Sequence, residues 1–261
     1  INRLKRAMED VDIVIHTAAL KHVPVVEYNP FESVQTNILG SQNVIDASLD
    51  ANVEVCVCVG TDKAVSPLNT YGATKLLMEK LFVTASNYLN PKNHRTKFIA
   101  VRYGNVLGSN GSIVQKLIEQ IKSDQDITIT DENMTRFNIT MNEALNLIER
   151  AVKFGKGGEV FIPKLDAYKV GDLKDALIEV LDAKNSVKQI PVRQGEKYHE
   201  SLLNVDELRN TYEMKDDYLL IEQKVFDKNN LDPSVYSKTS LIEQYSSDKV
   251  NLLSKNELKD I

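Results

Sequence analysis

The sequence has little cysteine, no excess of positive charge and no long apolar run. Only two of its 261 residues are cysteines. Cys56 and Cys58 lie two apart inside an apolar stretch, where we expect a buried pair of thiols and neither a metal site nor a disulfide. The formal net charge is −5 at pH 7, and Lys and Arg are scattered, so we expect no nucleic-acid partner. No apolar run approaches the roughly 20 residues that a membrane span needs, and we expect a cytoplasmic protein with no membrane partner.

The sequence also lacks a G-x-G-x-x-G turn after a first strand, which is the usual cradle for a dinucleotide pyrophosphate. It begins at Ile1 without an initiator methionine, and the first predicted strand, residues 11–15, follows almost at once. We therefore expect that the intact protein has a segment before Ile1.

Short apolar runs alternate with helical patterns in the first part of the chain. Strands are predicted over residues 11–15, 53–59 and 97–103, and the helices between them over 31–51 and 70–89. This spacing predicts an α/β fold with a parallel sheet, right-handed crossovers and helices on both faces. Ligands of such sheets bind beyond the carboxyl ends of the strands.

The pattern after residue 108 is less regular. Helices are predicted over 112–123, 141–154 and 170–182, and a strand over 159–163. We expect one domain over 1–108, a smaller α/β lobe that binds mostly substrate over 109–205, and a C-terminal extension over 206–261.

A tyrosine and a lysine stand four residues apart in the second predicted helix. Tyr71 and Lys75 would share one helix face. We expect the Lys75 ammonium to stabilise the Tyr71 phenolate, so that a hydroxyl whose pKa is normally about 10 serves as a base near neutral pH. This spacing alone is common on protein surfaces, and its position after a strand that ends in polar residues makes it informative.

Those polar residues are Thr61, Asp62 and Lys63, which follow the second strand. The threonine hydroxyl can donate to a substrate oxygen, and the adjacent acid and amine can act as a general acid and base on one substrate. The alternative is a solvated turn. The Tyr71 and Lys75 pair beside them favours an enzyme of carbonyl and alcohol redox chemistry.

Three further segments suit a ligand, although each alone is compatible with a plain loop. Residues 17–21 offer small side chains and one cation, and residues 104–111 form a glycine-punctuated turn. Residues 193–197 combine Arg193 and Glu196, a guanidinium and a carboxylate that suit a pyrophosphate and sugar hydroxyls. His22 and His199 have no ligand-like partners in the sequence, and we expect no metal site.

Together these motifs resemble the extended short-chain dehydrogenase/reductase family. Within it, the sequence is similar to the soluble, inverting UDP-N-acetylglucosamine 4,6-dehydratases that open pseudaminic acid biosynthesis for surface glycans. The resemblance covers about residues 2–205 and is carried by VDIVIHTAALKHVPVVEYNP, TNILGSQNVIDA, TDKAVSPLNTYGATK, VRYGNVLGSNGS, ITDENMTRF and RQGEKYHE.

The resemblance implies a Rossmann-like sheet whose first βα units precede Ile1, a bound NADP, a UDP-sugar substrate and a homo-oligomer. It implies that hydride passes from sugar C4 to NADP while Tyr71, held by Lys75, takes the 4-hydroxyl proton. Lys63 then removes the C5 proton and Asp62 protonates the departing C6 hydroxyl. Hydride returns to C6, and reprotonation of C5 from the opposite face inverts that centre.

The resemblance also implies roles for residues outside the catalytic group Thr61, Asp62, Lys63, Tyr71 and Lys75. The cofactor-binding positions are Thr17, Ala18, Lys21, Tyr71, Lys75, Val106, Leu107, Gly108, Ser109 and Asn110. The substrate-binding positions are Lys21, Gly60, Asn105, Thr130, Arg193 and Glu196.

Two departures from the family pattern bear on the assignment. Gly60 stands where a serine is usual, which loosens a substrate contact there and leaves Thr61 in place. Tyr71 stands where many relatives carry methionine, which favours the soluble inverting branch. The alternatives are a retaining or different-sugar dehydratase, a 4-epimerase, or an inactive NADP-binding scaffold. The pair Asp62 and Lys63 argues against a simple epimerase, which needs no base at C5.

Overall fold

The computed structural model describes residues 1–88, 94–109, 111–222 and 232–259. The strands, in chain order, are β1 Ile13–His16, β2 Val55–Val59, β3 Lys97–Val101, β4 Ile127–Ile129, β5 Thr135–Phe137, β6 Val160–Pro163, β7 Ala167–Lys169, β8 Val187–Gln189, β9 Ser201–Leu203, β10 Thr211–Glu213, β11 Asp217–Leu220, β12 Ser237–Lys238 and β13 Tyr245–Ser246.

The α-helices are α1 Asn2–Ala7, α2 Val23–Tyr28, α3 Pro30–Ser33, α4 Gly40–Asp50, α5 Thr70–Ala85, α6 Ile113–Lys122, α7 Met141–Phe154, α8 Val170–Val180, α9 Val205–Leu208 and α10 Lys255–Lys259. A π-helical segment, Val34–Leu39, joins α3 to α4, and 3₁₀ turns occupy Asp62–Ala64 and Ser86–Tyr88. None of the described helices is both long and apolar enough to cross a membrane.

The chain divides into two compact units. The first contains a seven-stranded sheet in the order β1-β2-β3-β6-β11-β10-β12. Strands β1, β2, β3 and β6 run parallel, and β11, β10 and β12 add on in antiparallel fashion. The strands β2 and β3 are almost wholly buried, as expected for continuous apolar runs in a parallel sheet that is covered on both faces.

The core of this first unit lies between the sheet and the second half of α7. Val57, Ile99 and Phe161 from three neighbouring strands pack with Leu147 and Ala151, and all five are fully buried. The expected α/β fold, a mainly parallel sheet with helices on both faces, is confirmed.

The second unit comprises residues 104–144 and 165–201 and the described residues from Tyr245 onward. Its strands form two short pairs, β4 with β8 in parallel and β5 with β7 in antiparallel orientation. One apolar cluster contains Leu117, Ile127 and Val170. A second joins Leu173 of α8 to Leu253 and Leu258, so α10 packs on α8.

The units are discontinuous in sequence, and the expected linear boundaries at 108 and 205 do not match them. Residues 145–164 and 202–244 belong to the unit of β1–β3. The physical reason is strand pairing, because β6 pairs with β3, and β11 pairs with β6. The short helix α2, which has a proline in its first turn, lies between β1 and the helix expected over 31–51 and was not predicted.

Candidate active site

The residues Thr61, Asp62 and Lys63 lie at the carboxyl end of β2, where the backbone is tightly fixed. The Gly60 amide donates to the Val101 carbonyl over 2.6 Å, and the Asp62 amide to the Tyr103 carbonyl over 3.0 Å. The Thr61 hydroxyl caps the 3₁₀ turn by accepting from the Lys63 amide at 3.4 Å. The pairing between β2 and β3 therefore continues into this turn. The turn places the three polar side chains at the carboxyl edge of the sheet.

The first turn of α5 is pressed against this 3₁₀ turn. The Asn69 side chain caps the helix by accepting from the Gly72 amide at 2.8 Å. A Cβ atom added to Gly72 would lie 2.1 Å from the Lys63 carbonyl oxygen. Only glycine permits so close an approach, and this approach brings Tyr71 to the polar group at the end of β2.

The acid and the amine of the 3₁₀ turn form a buried group. The Asp62 side chain is fully buried, and its Oδ1 accepts from the Thr61 hydroxyl and from Lys63 Nζ, each at 3.0 Å. Its Oδ2 is buried and has no protein hydrogen-bond partner. Buried carboxylate oxygens nearly always have a partner, so this oxygen is suited to a ligand hydroxyl.

The surroundings of Tyr71 differ from the sequence expectation. Burial raises its pKa, and the nearby Lys63 ammonium and a hydrogen bond with Thr61 offset that only in part. Lys75 instead donates from Nζ to the Val59 carbonyl over 2.6 Å and to the Met78 sulfur over 3.2 Å. The expectation that Lys75 lowers the pKa of Tyr71 is therefore wrong for this structure, because a backbone carbonyl of β2 holds the Lys75 ammonium and Lys63 is the cation that acts on the phenol.

Lys75 is itself buried, with only 3% of its surface exposed. Burial lowers its pKa to about 8, against smaller opposing effects of Cys58 and Glu79. Tyr71 and Lys75 do share the buried face of α5, as their spacing predicts.

Tyr103 is a site residue that the sequence reasoning missed. It lies two residues after β3, and burial, followed by the nearby Tyr71, raises its pKa. Its position directly beyond a strand of the parallel sheet is the signal that could have identified it.

The loop after β1 carries the expected cofactor residues Thr17, Ala18 and Lys21, all exposed. The buried Asn37 of the π-helical segment fixes this loop. Its side chain accepts from the Leu20 amide at 2.8 Å and donates to the Leu20 carbonyl at 3.0 Å and to the Thr74 hydroxyl at 3.0 Å. The loop is thereby tied to α5, and Asn37 is a second residue that the sequence reasoning missed.

The remaining expected site residues belong to the second unit, except Asn110, which lies outside the described residues. In the turn that contains Asn105, Val106, Leu107, Gly108 and Ser109, the Leu107 amide donates to the Ile139 carbonyl over 3.0 Å. Gly108 has a φ of 68°, a conformation that favours glycine.

Arg193 and Glu196 lie together in the second unit, in a turn closed by the Arg193 amide and a Glu196 carboxylate oxygen at 3.3 Å. Arg136 donates to the other oxygen of Glu196 over 3.2 Å. Burial and the nearby Arg193 lower the pKa of Lys116. Thr130 donates to the Met134 sulfur over 3.3 Å. Arg136 and Lys116 therefore extend the expected pair into a cluster of three cations and one carboxylate.

The profile of a family described as polysaccharide biosynthesis protein matches residues 1–222. The chain belongs to this family. The expected similarity to the extended short-chain dehydrogenase/reductases and their inverting UDP-N-acetylglucosamine 4,6-dehydratases is confirmed.

Two relatives and one solved structure illustrate what the chain is similar to. An inverting UDP-N-acetylglucosamine 4,6-dehydratase of Campylobacter jejuni is 46% identical over 232 residues, 87% of this chain and 67% of the relative. A UDP-glucose 4-epimerase of Rickettsia bellii is 36% identical over 265 residues, 100% of this chain and 76% of the relative. The crystal structure of Pen from Bacillus thuringiensis is 39% identical with a TM-score of 0.89, and the match covers 99% of this chain and 76% of that one.

Proposed function

We propose that this chain carries the acid–base residues of an inverting UDP-N-acetylglucosamine 4,6-dehydratase. The observation that carries the proposal is the group formed by Thr61, Asp62, Lys63 and Tyr71 at the carboxyl end of β2. It joins a phenol, an amine and a carboxyl group whose Oδ2 is buried and has no protein hydrogen-bond partner. The product would be a UDP-4-keto-6-deoxy-L-arabino-hexosamine, a precursor for pseudaminic acid or another surface glycan.

Each side chain of the group has one step. Tyr71, as the phenolate beside the Lys63 ammonium, takes the proton of the sugar 4-hydroxyl, and the Thr61 hydroxyl, which bonds to Tyr71, orients the sugar oxygen. Once C4 is a ketone, the C5 hydrogen is acidic. Lys63 passes its ammonium proton to Asp62 Oδ1, 3.0 Å away, and the resulting amine removes the C5 proton. The Asp62 carboxyl group gives a proton to the C6 hydroxyl as it leaves as water. Lys63 and Asp62 are adjacent residues of one turn, so the amine can act at C5 and the carboxyl group at C6 of the same sugar.

The residues present fit the nicotinamide end of a dinucleotide. The exposed loop of Thr17, Ala18 and Lys21 and the Lys75 ammonium offer the hydroxyl and cationic donors that suit ribose oxygens. When bound, the nicotinamide ring supplies reversible hydride transfer. We propose NADP, on the similarity to the dehydratases. The turn of Val106, Leu107, Gly108, Ser109 and Asn110 is a proposed second contact with it.

The cations of the second unit suit the diphosphate of a UDP-sugar. Arg136 pairs with Glu196, and Lys116 lies within electrostatic range of Arg193 and Glu196. Guanidinium groups match phosphate oxygens in geometry. We assign Asn105, Thr130, Lys21 and Gly60 to the substrate on the family resemblance. A cytoplasmic homo-oligomer that binds neither nucleic acid nor membrane completes the proposal.

The test is proton exchange at C5. Protein expressed from the intact gene is incubated with UDP-N-acetylglucosamine in deuterated water, and the product is examined by NMR. We expect a 4-keto-6-deoxy sugar with one deuterium at an inverted C5. A sugar changed only at C4, as a 4-epimerase would give, overturns the proposal in favour of the function named for the Rickettsia relative.

The role of Lys63 has its own test. In Lys63→Met we expect reduction of the bound nicotinamide by substrate to remain visible in its absorbance, while C5 exchange falls at least about 100-fold, the lower end of general-base contributions. Lys5→Met is the matched control, since Lys5 also pairs with an aspartate, Asp50, but at an exposed site. Equal loss of both signals in Lys63→Met would show that Lys63 only holds structure.

A further inference from the structure

A buried ion cluster lies behind the acid–base group in the first unit. Arg102, the residue after β3, is fully buried and contacts two carboxylates. It donates to the two oxygens of Glu79 at 2.5 and 3.0 Å and to those of Glu207 at 2.9 and 3.2 Å. Its remaining contact is the Leu202 carbonyl at 2.9 Å. Every guanidinium nitrogen therefore has a partner.

The Glu207 end of the cluster is fixed by a helix cap. Glu207 accepts from the Asn204 amide at 2.9 Å, and the Asn204 side chain accepts from the Glu207 amide at 2.9 Å, which completes a capping box at α9. The capping box therefore fixes the position of the Glu207 side chain at the start of α9.

The Glu79 end of the cluster faces Lys75. Glu79 follows Lys75 by one turn on the same face of α5, and both are buried. Lys75 is held at the end of β2 by the Val59 carbonyl. Two carboxylates and one guanidinium leave one negative charge without compensation in a buried place, and the Lys75 ammonium is the neighbouring charge of opposite sign.

We infer that the cluster of Glu79, Arg102 and Glu207 is a positioning device: Arg102 and Glu207 hold the Glu79 carboxylate in the place from which it keeps the Lys75 side chain charged at the carboxyl end of β2. The inference rests on the proposed function, in which Lys75 serves the cofactor side of the site. It assigns a function-related role to Glu207 and α9, which are linked to Lys75 through Arg102 and Glu79.

Other titratable groups also face Lys75. On its own helix Glu79 favours the charged amine. On β2 the Cys58 thiol is neutral, because burial raises its pKa well above the usual value. On β1, His16 is affected by Lys75, which together with burial lowers the pKa of the imidazole to about 4. His16 is therefore neutral at pH 7, and of these groups Glu79 is the one that forms an ion pair with Arg102.

The test is a direct titration of Lys75 by NMR of protein with ¹³C-labelled lysine, without substrate, with the signal assigned from Lys75→Met. We expect Glu79→Gln to lower the titration midpoint by at least about one pH unit, the size typical for loss of an adjacent opposite charge. Glu207→Gln should shift it in the same direction by less. The glutamine oxygen can still accept from the Asn204 amide and Arg102 Nη1, which keeps the capping box, whereas the acceptor for Arg102 Nη2 is lost together with the charge. In Glu79→Asp, which keeps the charge, the Lys75 midpoint should lie closer to the wild-type value than to that of Glu79→Gln.

Glu159→Gln is the control, since Glu159 is equally buried in the same unit but accepts from the amides of Lys156 and Gly157. We expect it to leave the Lys75 midpoint unchanged. An unchanged midpoint in Glu207→Gln overturns the inference, and so does a Glu207→Gln protein that no longer folds, because the cluster would then serve stability alone. Since no substrate is used, a shifted midpoint with no C5 exchange in the wild type would sustain the inference and remove the proposed function.

Discussion

At the scale of single residues, sequence spacing predicted which side chains would meet but not which ion pairs they would form. Thr61, Asp62 and Lys63 do lie near Tyr71. The partner of Lys75 was not predictable, because the Val59 carbonyl that holds it is a backbone group placed by the parallel register of β2. The order of side chains in a sequence does not show which backbone carbonyl a buried lysine will contact.

The imidazole of His16 should make stability depend on pH. It is buried, stacks on Phe82 and bonds to Ser41, and burial followed by Lys75 lowers its pKa to about 4 from 6.5. The unfolded chain then binds more protons than the folded one between these values, so stability is complete above pH 6.5 and falls by up to about 3 kcal/mol as the pH drops to 4.

Urea unfolding of the wild type and His16→Gln across this pH range measures the effect. The variant is expected to lose stability overall but to show a flatter pH dependence. His22→Gln, at an exposed imidazole, is the control and should keep the wild-type slope. Parallel curves for the wild type and His16→Gln would contradict the assignment.

At the scale of elements, helices and strands were predictable where the hydrophobic period was strong. The helix expected over 141–154 is α7, with the same bounds, and the strands expected over 53–59 and 97–103 are β2 and β3 with shorter ends. The short helix α2 was missed because six residues with a proline give too little periodicity. The contact between α5 and the 3₁₀ turn was also not predictable, since it depends on how closely two backbones approach.

That contact gives the prediction for Gly72→Ala. The added methyl group would lie 2.1 Å from the Lys63 carbonyl oxygen and 3.0 Å from a Pro67 side-chain atom, so α5 must move away from the turn. We expect a loss of about 1–3 kcal/mol in the free energy of unfolding and a fall of about 100-fold in kcat, the usual cost of misplacing reacting groups by about 1 Å.

Gly40→Ala is the matched control, because its added methyl group would meet only the Gln35 carbonyl at an ordinary 3.5 Å. Since an alanine within a helix reduces the freedom of the unfolded chain, this variant should be as stable as the wild type or more so. Thermal unfolding and the C5 exchange assay compare the two. Equal effects at both positions would show that the approach of α5 to the turn does not matter.

At the scale of the whole molecule, the linear sequence could not show that the units are discontinuous. Strands β10 and β11 lie more than 100 residues after β3 in the chain but extend the same sheet through β6. Their apolar residues are few, and a three- or four-residue strand has no periodicity of its own. Pairing across such separations depends on tertiary contacts, which local patterns do not encode.

The bond between α7 and β11 tests how far this late hairpin supports the first unit. Arg150 donates to both oxygens of Asp217 at 2.6 and 2.7 Å, and Asp217 is 1% exposed. In Asp217→Asn the guanidinium loses its counter-charge, and because Arg150 is about a quarter exposed we expect a loss of about 2–3 kcal/mol, below the 3–5 kcal/mol of a fully buried pair. Urea unfolding should show a lower midpoint with an unchanged slope, since the hairpin unfolds together with the sheet.

The matched control is Asp216→Asn, at the neighbouring exposed aspartate, which should change stability by no more than about 0.5 kcal/mol. A separate early transition in Asp217→Asn, with the main midpoint unmoved, would mean that β10 and β11 are only an appendage, whereas a single shifted transition makes them part of the sheet that positions Thr61, Asp62 and Lys63.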